Sequence, residues 1–287
     1  MRRFFVLAIS LVLIITLSAC SKSDFSDGEN GGKEIIAVSI VPEAQFAQKV
    51  CGEDFEIVTV IPAGASPETY EPTPALMKKL SNAKLYFSIG VQSEETSILP
   101  SIQKSTVVVP LHERVREIYP ELTIDGGRDP HIWLSPKRVK LMITEIARTA
   151  GEINPENTEK YNANAKKYIA ELDELDRKIR SLIGEDSDGK FISFHPAFNY
   201  FADEYSLEAF ALEEHGKEAT PKRLAEMVDF ARKEEIKVIF YQSESSSKQA
   251  VSFAEEIGGK AVMLEPLSYN YTQNLENMAK AISEAVK

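Results

Sequence analysis

The chain has 287 residues, 43% of them hydrophobic, with 44 acidic against 33 basic side chains and a formal net charge of −11. An acidic balance of this size speaks against nucleic acid, which is held through basic surface, and leans toward a cationic ligand. Only two cysteines, Cys20 and Cys51, are present, so no disulfide framework supports the fold and a hydrophobic core must do so.

The first residues read as an address. Arg2 and Arg3 precede an apolar run from Phe4 to Leu17, which ends in Leu17-Ser18-Ala19-Cys20. A basic start, an apolar stretch and small residues at a cleavage point describe a secretory signal peptide over 1–20. The apolar stretch is shorter than the roughly 20 residues a membrane span needs. Leu-Ser-Ala-Cys also resembles the lipobox of prokaryotic lipoproteins, which implies acylation of Cys20 and an anchor on the outer face of the cytoplasmic membrane. Residues 21–33, rich in Ser, Asp, Gly and Lys, have the composition of a flexible tether.

Strand-like and helical runs then alternate. Glu34–Val41, Phe55–Ile61, Leu85–Ile89 and Thr106–Val109 are strand candidates, with helices over Pro42–Val50, Thr73–Leu80 and Ser135 to about Ala150. Thr73-Pro74 and Ser135-Pro136 are helix starts, a capping hydroxyl followed by proline in the first turn. The second half repeats the plan. Its strands are Lys190–Phe194, Leu207–Leu212, Lys237–Tyr241 and Lys260–Leu264; its helices are Ala197–Tyr205, Thr220–Lys233, Ser247–Ile257 and Tyr271–Val286. The pattern predicts an α/β fold of two lobes, 34–153 and 187–287, with parallel sheets flanked by helices.

Between the lobes, over 154–186, lies the strongest periodicity. Tyr161, Ala165, Tyr168, Leu172, Leu175, Ile179 and Leu182 recur at spacings of 4, 3, 4, 3, 4, 3, before Gly184. This is one helix from about Pro155 to Ile183, about 43 Å long. A stripe of this kind permits a coiled-coil dimer. Between two α/β halves it reads better as a rigid spine lying on both, in a monomer with little domain closure.

Two of the four histidines stand in unusual settings. His131 precedes a helix start in Asp129-Pro-His-Ile-Trp-Leu-Ser-Pro136, and His195 ends a buried strand in Phe194-His-Pro196. Ligands bind at the carboxyl ends of strands in open α/β sheets. Glu68, in the Pro-rich loop Pro62–Pro74, and Glu265, after the strand ending at Leu264, are carboxylates in comparable places. Taken singly, each of the four also suits an ordinary structural or loop role. Together, two from each half could converge in the cleft between the lobes, where imidazole with carboxylate suits zinc, manganese or iron. Tyr200, Gln242 and Glu244 are candidates to border that cleft or support the ligands. His112 and His215 read as surface residues, Cys51 as an inert thiol and Glu71 as a helix cap.

Several of these segments form a recognisable set. The lipobox, Gly64-Ala-Ser-Pro-Glu-Thr-Tyr-Glu-Pro-Thr-Pro74, Asp129–Pro136, Phe194-His-Pro-Ala-Phe198, Glu213–Arg223, Gln242–Lys248 and Leu264-Glu-Pro-Leu267 resemble, in order, the zinc/manganese solute-binding proteins of ABC importers. The resemblance implies two α/β lobes on one long helix, a divalent metal held as cargo between them, and an ABC permease as partner. Some such relatives are also described as cell adhesins. By motif position it assigns His131, His195 and Glu265 to ligand positions. Many members carry His where this chain has Glu68; a carboxylate there hardens the donor set and shifts the balance toward manganese or iron. The long His- and Asp-rich loop of many zinc-specific members is absent. A chelate-binding relative, for a siderophore-like ligand, would want arginines and aromatics in the motif loops. An exported metallohydrolase would want a His-Glu-x-x-His or an open zinc position. The residues favour a binding protein over an enzyme.

Overall fold

In the computed structural model, the described residues are 32–124, 126–184, 187–213, 217–244 and 247–286. The signal sequence with Cys20, nearly all of the tether, and His215 lie outside them.

The first half builds a parallel sheet from β1 (Ile35–Val38), β2 (Glu56–Thr59), β3 (Ala83–Ser88) and β4 (Val107–Pro110), in the order β2-β1-β3-β4. Helices α1 (Val41–Cys51), α2 (Pro74–Leu80) and α3 (Leu111–Arg116) accompany it. A small antiparallel hairpin, β5 (Thr123–Ile124) with β6 (Gly127–Arg128), follows. The sequence reading missed it, because two-residue strands carry no periodicity. Its exit delivers Asp129 and His131, and Asp129 N donates to Leu122 O at 2.9 Å.

Then come α4 (Pro136–Ile153), a 3-10 turn at Pro155–Asn157 and the long α5 (Thr158–Ile183). The second parallel sheet comprises β7 (Lys190–Ser193), β8 (Glu208–Ala211), β9 (Val238–Gln242) and β10 (Lys260–Leu264), in the order β10-β9-β7-β8. Helices α6 (Asn199–Glu204), α7 (Pro221–Lys233), α8 (Ser247–Glu256) and α9 (Tyr271–Ala285) complete it. Counting strands from the start of each half, both sheets have the order second-first-third-fourth.

Helix starts follow the local chemistry. The hydroxyls of Thr73, Ser135 and Thr220 accept from Leu76 N, Arg138 N and Arg223 N at 3.3, 3.4 and 3.2 Å, each with proline next. Thr73, and not the exposed Glu71, is therefore the cap of α2.

The stripe on α5 is buried at Tyr161, Ala165, Tyr168, Leu172, Leu175, Ile179 and Ile183. Ile183 replaces the expected Leu182, because 3.6 residues per turn drift from a 3.5-residue pattern over three heptads. The stripe packs on α1, α4 and α9, elements from both halves. Tyr168 Oη donates to Gln45 Oε1 at 3.2 Å, Tyr161 Oη to Asp54 Oδ2 at 3.0 Å and Tyr205 Oη to Asp176 Oδ1 at 3.1 Å. One hydrophobic cluster runs from Ile36 and Phe87 through this stripe to Phe191, Phe240 and Ile282. A smaller one lies on the other face of the second sheet. Cys51 is fully buried within the large core, and burial pushes its thiol up to about 12, which keeps it unreactive.

Candidate metal site

Three of the predicted ligands meet. His195 Nε2 lies 3.4 Å from His131 Nε2 and 3.3 Å from Glu68 Oε1, and His131 Nε2 lies 3.8 Å from the same oxygen. Among the described residues this is the grouping of metal-ligating side chains that converges. A point equidistant from the three atoms lies about 2.0 Å from each, the bond length zinc takes to imidazole nitrogen and carboxylate oxygen.

Each donor is held from behind. His131 follows the hairpin, and its Nδ1 stands 2.7 Å from Asp129 Oδ1, which also accepts from His131 N at 2.9 Å. Asp129 is fully buried, and its second oxygen accepts from Asn199 Nδ2 at 3.2 Å. A carboxylate only accepts, so Nδ1 carries the proton and the Nε2 lone pair faces the cluster. His195, two residues beyond β7, is arranged in the same way: Nδ1 lies 2.5 Å from Glu213 Oε2. Such carboxylate–imidazole pairs fix the tautomer and raise ligand basicity. Glu68 sits in a turn where Thr69 N and Tyr70 N donate to Ser66 O at 3.3 and 3.0 Å, and the Ser66 hydroxyl donates to Glu68 Oε2.

Electrostatics match the geometry. Burial works to raise the Glu68 carboxyl, but the hydrogen bond and charge of His195, then His131 and Ser66, bring it down to about 2. Burial likewise works against a charged His195, but Glu213 and Glu68 lift it to about 9. Without an ion, a proton shared between His195 and its two carboxylates balances the site, and an arriving cation takes its place.

The cluster opens on a cavity of about 110 Å³, whose walls include Gln242, Glu244, Pro266 and Leu267. Gln242 and Glu244 thus border the site as expected. Three other residues lie elsewhere than the sequence reading placed them. Glu265 is exposed and stands outside the cluster and the cavity wall. The backbone explains this: Glu265 O accepts from Asn274 Nδ2 at 2.7 Å and Pro266 O from Trp133 Nε1 at 3.0 Å, which fixes the turn with the Glu265 side chain outward. Tyr200 is buried and does not line the cavity; its hydroxyl accepts from Leu122 N at 3.0 Å and Arg138 stacks on its ring. His112 is largely covered, and burial followed by the Arg128 charge lowers it to about 4. Asp129 and Glu213 are the supporting residues the sequence reading passed over. Asp129 was legible as an acid two residues before His131, whereas nothing local marks Glu213, 18 residues from its histidine.

The chain is 26% identical over 315 residues to the zinc-binding lipoprotein AdcA of Streptococcus pneumoniae strain R6, covering 99% of this chain and 61% of that protein's length. It is 28% identical over 279 residues to the high-affinity zinc uptake system protein ZnuA of Bacillus subtilis, covering 92% of this chain and 87% of that one. A crystal structure of ZnuA superposes with a TM-score of 0.83 at 30% identity, covering 89% of this chain and all of that one. TroA, a periplasmic zinc-binding protein from Treponema pallidum, shares the fold at a TM-score of 0.80 and 20% identity. The family model for ZnuA, the periplasmic component A of a zinc-uptake complex, matches residues 36–285, and the chain belongs to that family of solute-binding proteins.

Proposed function

We propose that this protein captures one bare divalent transition-metal ion outside the cytoplasm and delivers it to the permease of an ABC importer. Glu68, His131 and His195 hold the ion. The observation that carries the reading is the spacing of their donor atoms, 3.3–3.8 Å apart, which leaves room for an ion and none for a chelator around it. The equidistant point at about 2.0 Å suits zinc, and zinc exceeds manganese in intrinsic affinity at mixed nitrogen–oxygen sites. The carboxylate at Glu68 keeps manganese within reach. The action is capture and release of cargo, without catalysis, by a monomer tethered through a lipid on Cys20.

The test strips the purified protein with chelator and dialyses it against equimolar zinc and manganese before elemental analysis. One zinc per chain is expected, with none in His131→Ala or His195→Ala at unchanged far-UV circular dichroism. Stoichiometric metal in both variants would end the assignment. In cells, Cys20→Ala releases the protein from the membrane fraction; retention at the membrane would rule out the lipid anchor.

A further inference from the structure

The two histidines of the cluster come from different halves of the chain, and contacts between the halves set one against the other. The first half delivers His131 from the base of the β5–β6 hairpin, where Asp129 N donates to Leu122 O at 2.9 Å. Two consecutive residues at the start of α6, in the second half, hold both members of that pair. Asn199 Nδ2 donates to Asp129 Oδ2 at 3.2 Å, and Tyr200 Oη accepts from Leu122 N at 3.0 Å. The same segment carries the other histidine. His195 stands just before α6, and its carbonyl accepts from Ala197 N and from the Ser193 hydroxyl, both at 2.9 Å, which folds the connection to Asn199 into a tight turn.

Asp129 is where the two paths meet. It is fully buried, and its Oδ1 takes two donors, His131 N at 2.9 Å and His131 Nδ1 at 2.7 Å. Its other oxygen takes the Asn199 amide, 70 positions away along the chain. A buried carboxylate oxygen that loses its donor is unfavourable, and the group turns to recover one. Such a turn carries Oδ1 off the imidazole. The partner is also a neutral amide and not a lysine or arginine. It orients Asp129 without neutralising it, so the whole negative charge stays behind His131 and strengthens Nε2 as a metal donor.

We propose that Asn199 is a positioning residue for the cargo ion: through Asp129 it ties the orientation of His131 to the turn that presents His195. The two imidazoles are thereby set as a pair, although one belongs to each half of the chain. This rests on the metal-binding reading above. Asn199 is half-buried and acts through the Asp129 carboxylate, so its contribution exists to the extent that this carboxylate is charged and in place.

Zinc affinity, from competition against a chromophoric chelator at one pH, reads the effect, with far-UV circular dichroism as the check on folding. Asn199→Leu keeps the bulk of the side chain and removes its donor, whereas Asn199→Ala removes both. Each is expected to keep one ion per chain and to weaken zinc about tenfold. In an Asp129→Asn background the same substitutions are expected to change affinity by about twofold at most, while in a Glu213→Gln background the loss of about tenfold persists. A general packing role would give the same loss in both backgrounds. His131→Ala controls for the underlying reading: if it retains stoichiometric zinc, the site assignment and the proposal fall together. If it loses the ion, the proposal by itself is overturned when both Asn199 variants bind as the wild type does, or lose as much affinity with Asp129→Asn as without it.

Discussion

At the scale of single residues, the site is defined by what stands behind each donor. Asp129 and Glu213 turn two imidazoles so that both Nε2 atoms face Glu68. The same contacts set the pH behaviour. His195 titrates near 6.5 in an unfolded chain and at about 9 in the folded, metal-free protein. A raised histidine contributes stability below its unfolded value and loses it as pH rises through the folded one. Metal-free protein should therefore lose up to about 3 kcal/mol between pH 6.5 and 9 from this group. The ion displaces that proton, so metal affinity has the opposite sign and rises by up to about tenfold per pH unit over the same window. Thermal melts of stripped protein and chelator competition at matched pH check both slopes. Parallel slopes would show that His195 is not the group exchanged.

At the scale of elements, α5 does what its periodicity announces. The heptad-like stripe could have served a coiled coil, but α1, α4 and α9 cover it within the same chain. Leu172, fully buried midway along the helix, is the place to test that role. Leu172→Ala should destabilise by about 2–5 kcal/mol, read as a lower urea midpoint at unchanged slope, with metal stoichiometry retained. A loss under 1 kcal/mol would mean that the stripe is not tightly packed. The short elements around the site were less legible. The β5–β6 hairpin aims Asp129 and His131, yet neither of its strands exceeds two residues.

At the scale of the whole molecule, one hydrophobic core runs from the first half through the long helix into the second, and one side chain ties the first half to the β10–α9 turn. Trp133, two residues past His131, donates its indole N–H to Pro266 O at 3.0 Å, and Tyr271 Oη donates to Trp133 O at 2.8 Å. Trp133→Phe leaves the Pro266 carbonyl without its donor, which costs about 1–3 kcal/mol. Hydrogen exchange should rise around residues 265–270, and unaltered exchange there would show that the tie is not what fixes the turn.

The sequence by itself determined the alternation of strands and helices, the hydroxyl-proline helix starts and the long helix, and it named Glu68, His131, His195 and Glu265 as candidate donors. These are properties of consecutive residues: side-chain period, capping chemistry, and a histidine or acid at the end of an apolar run. Which strand ends become neighbours was decided only in three dimensions. Glu265 follows its strand as closely as His195 follows β7, and nothing local separates the two. The order β10-β9-β7-β8 places β9, and not the Glu265 strand, next to the strand that leads to His195. Pairing order depends on contacts between residues tens of positions apart, and such contacts also brought Glu213 to His195 and the Tyr200 hydroxyl to Leu122 N.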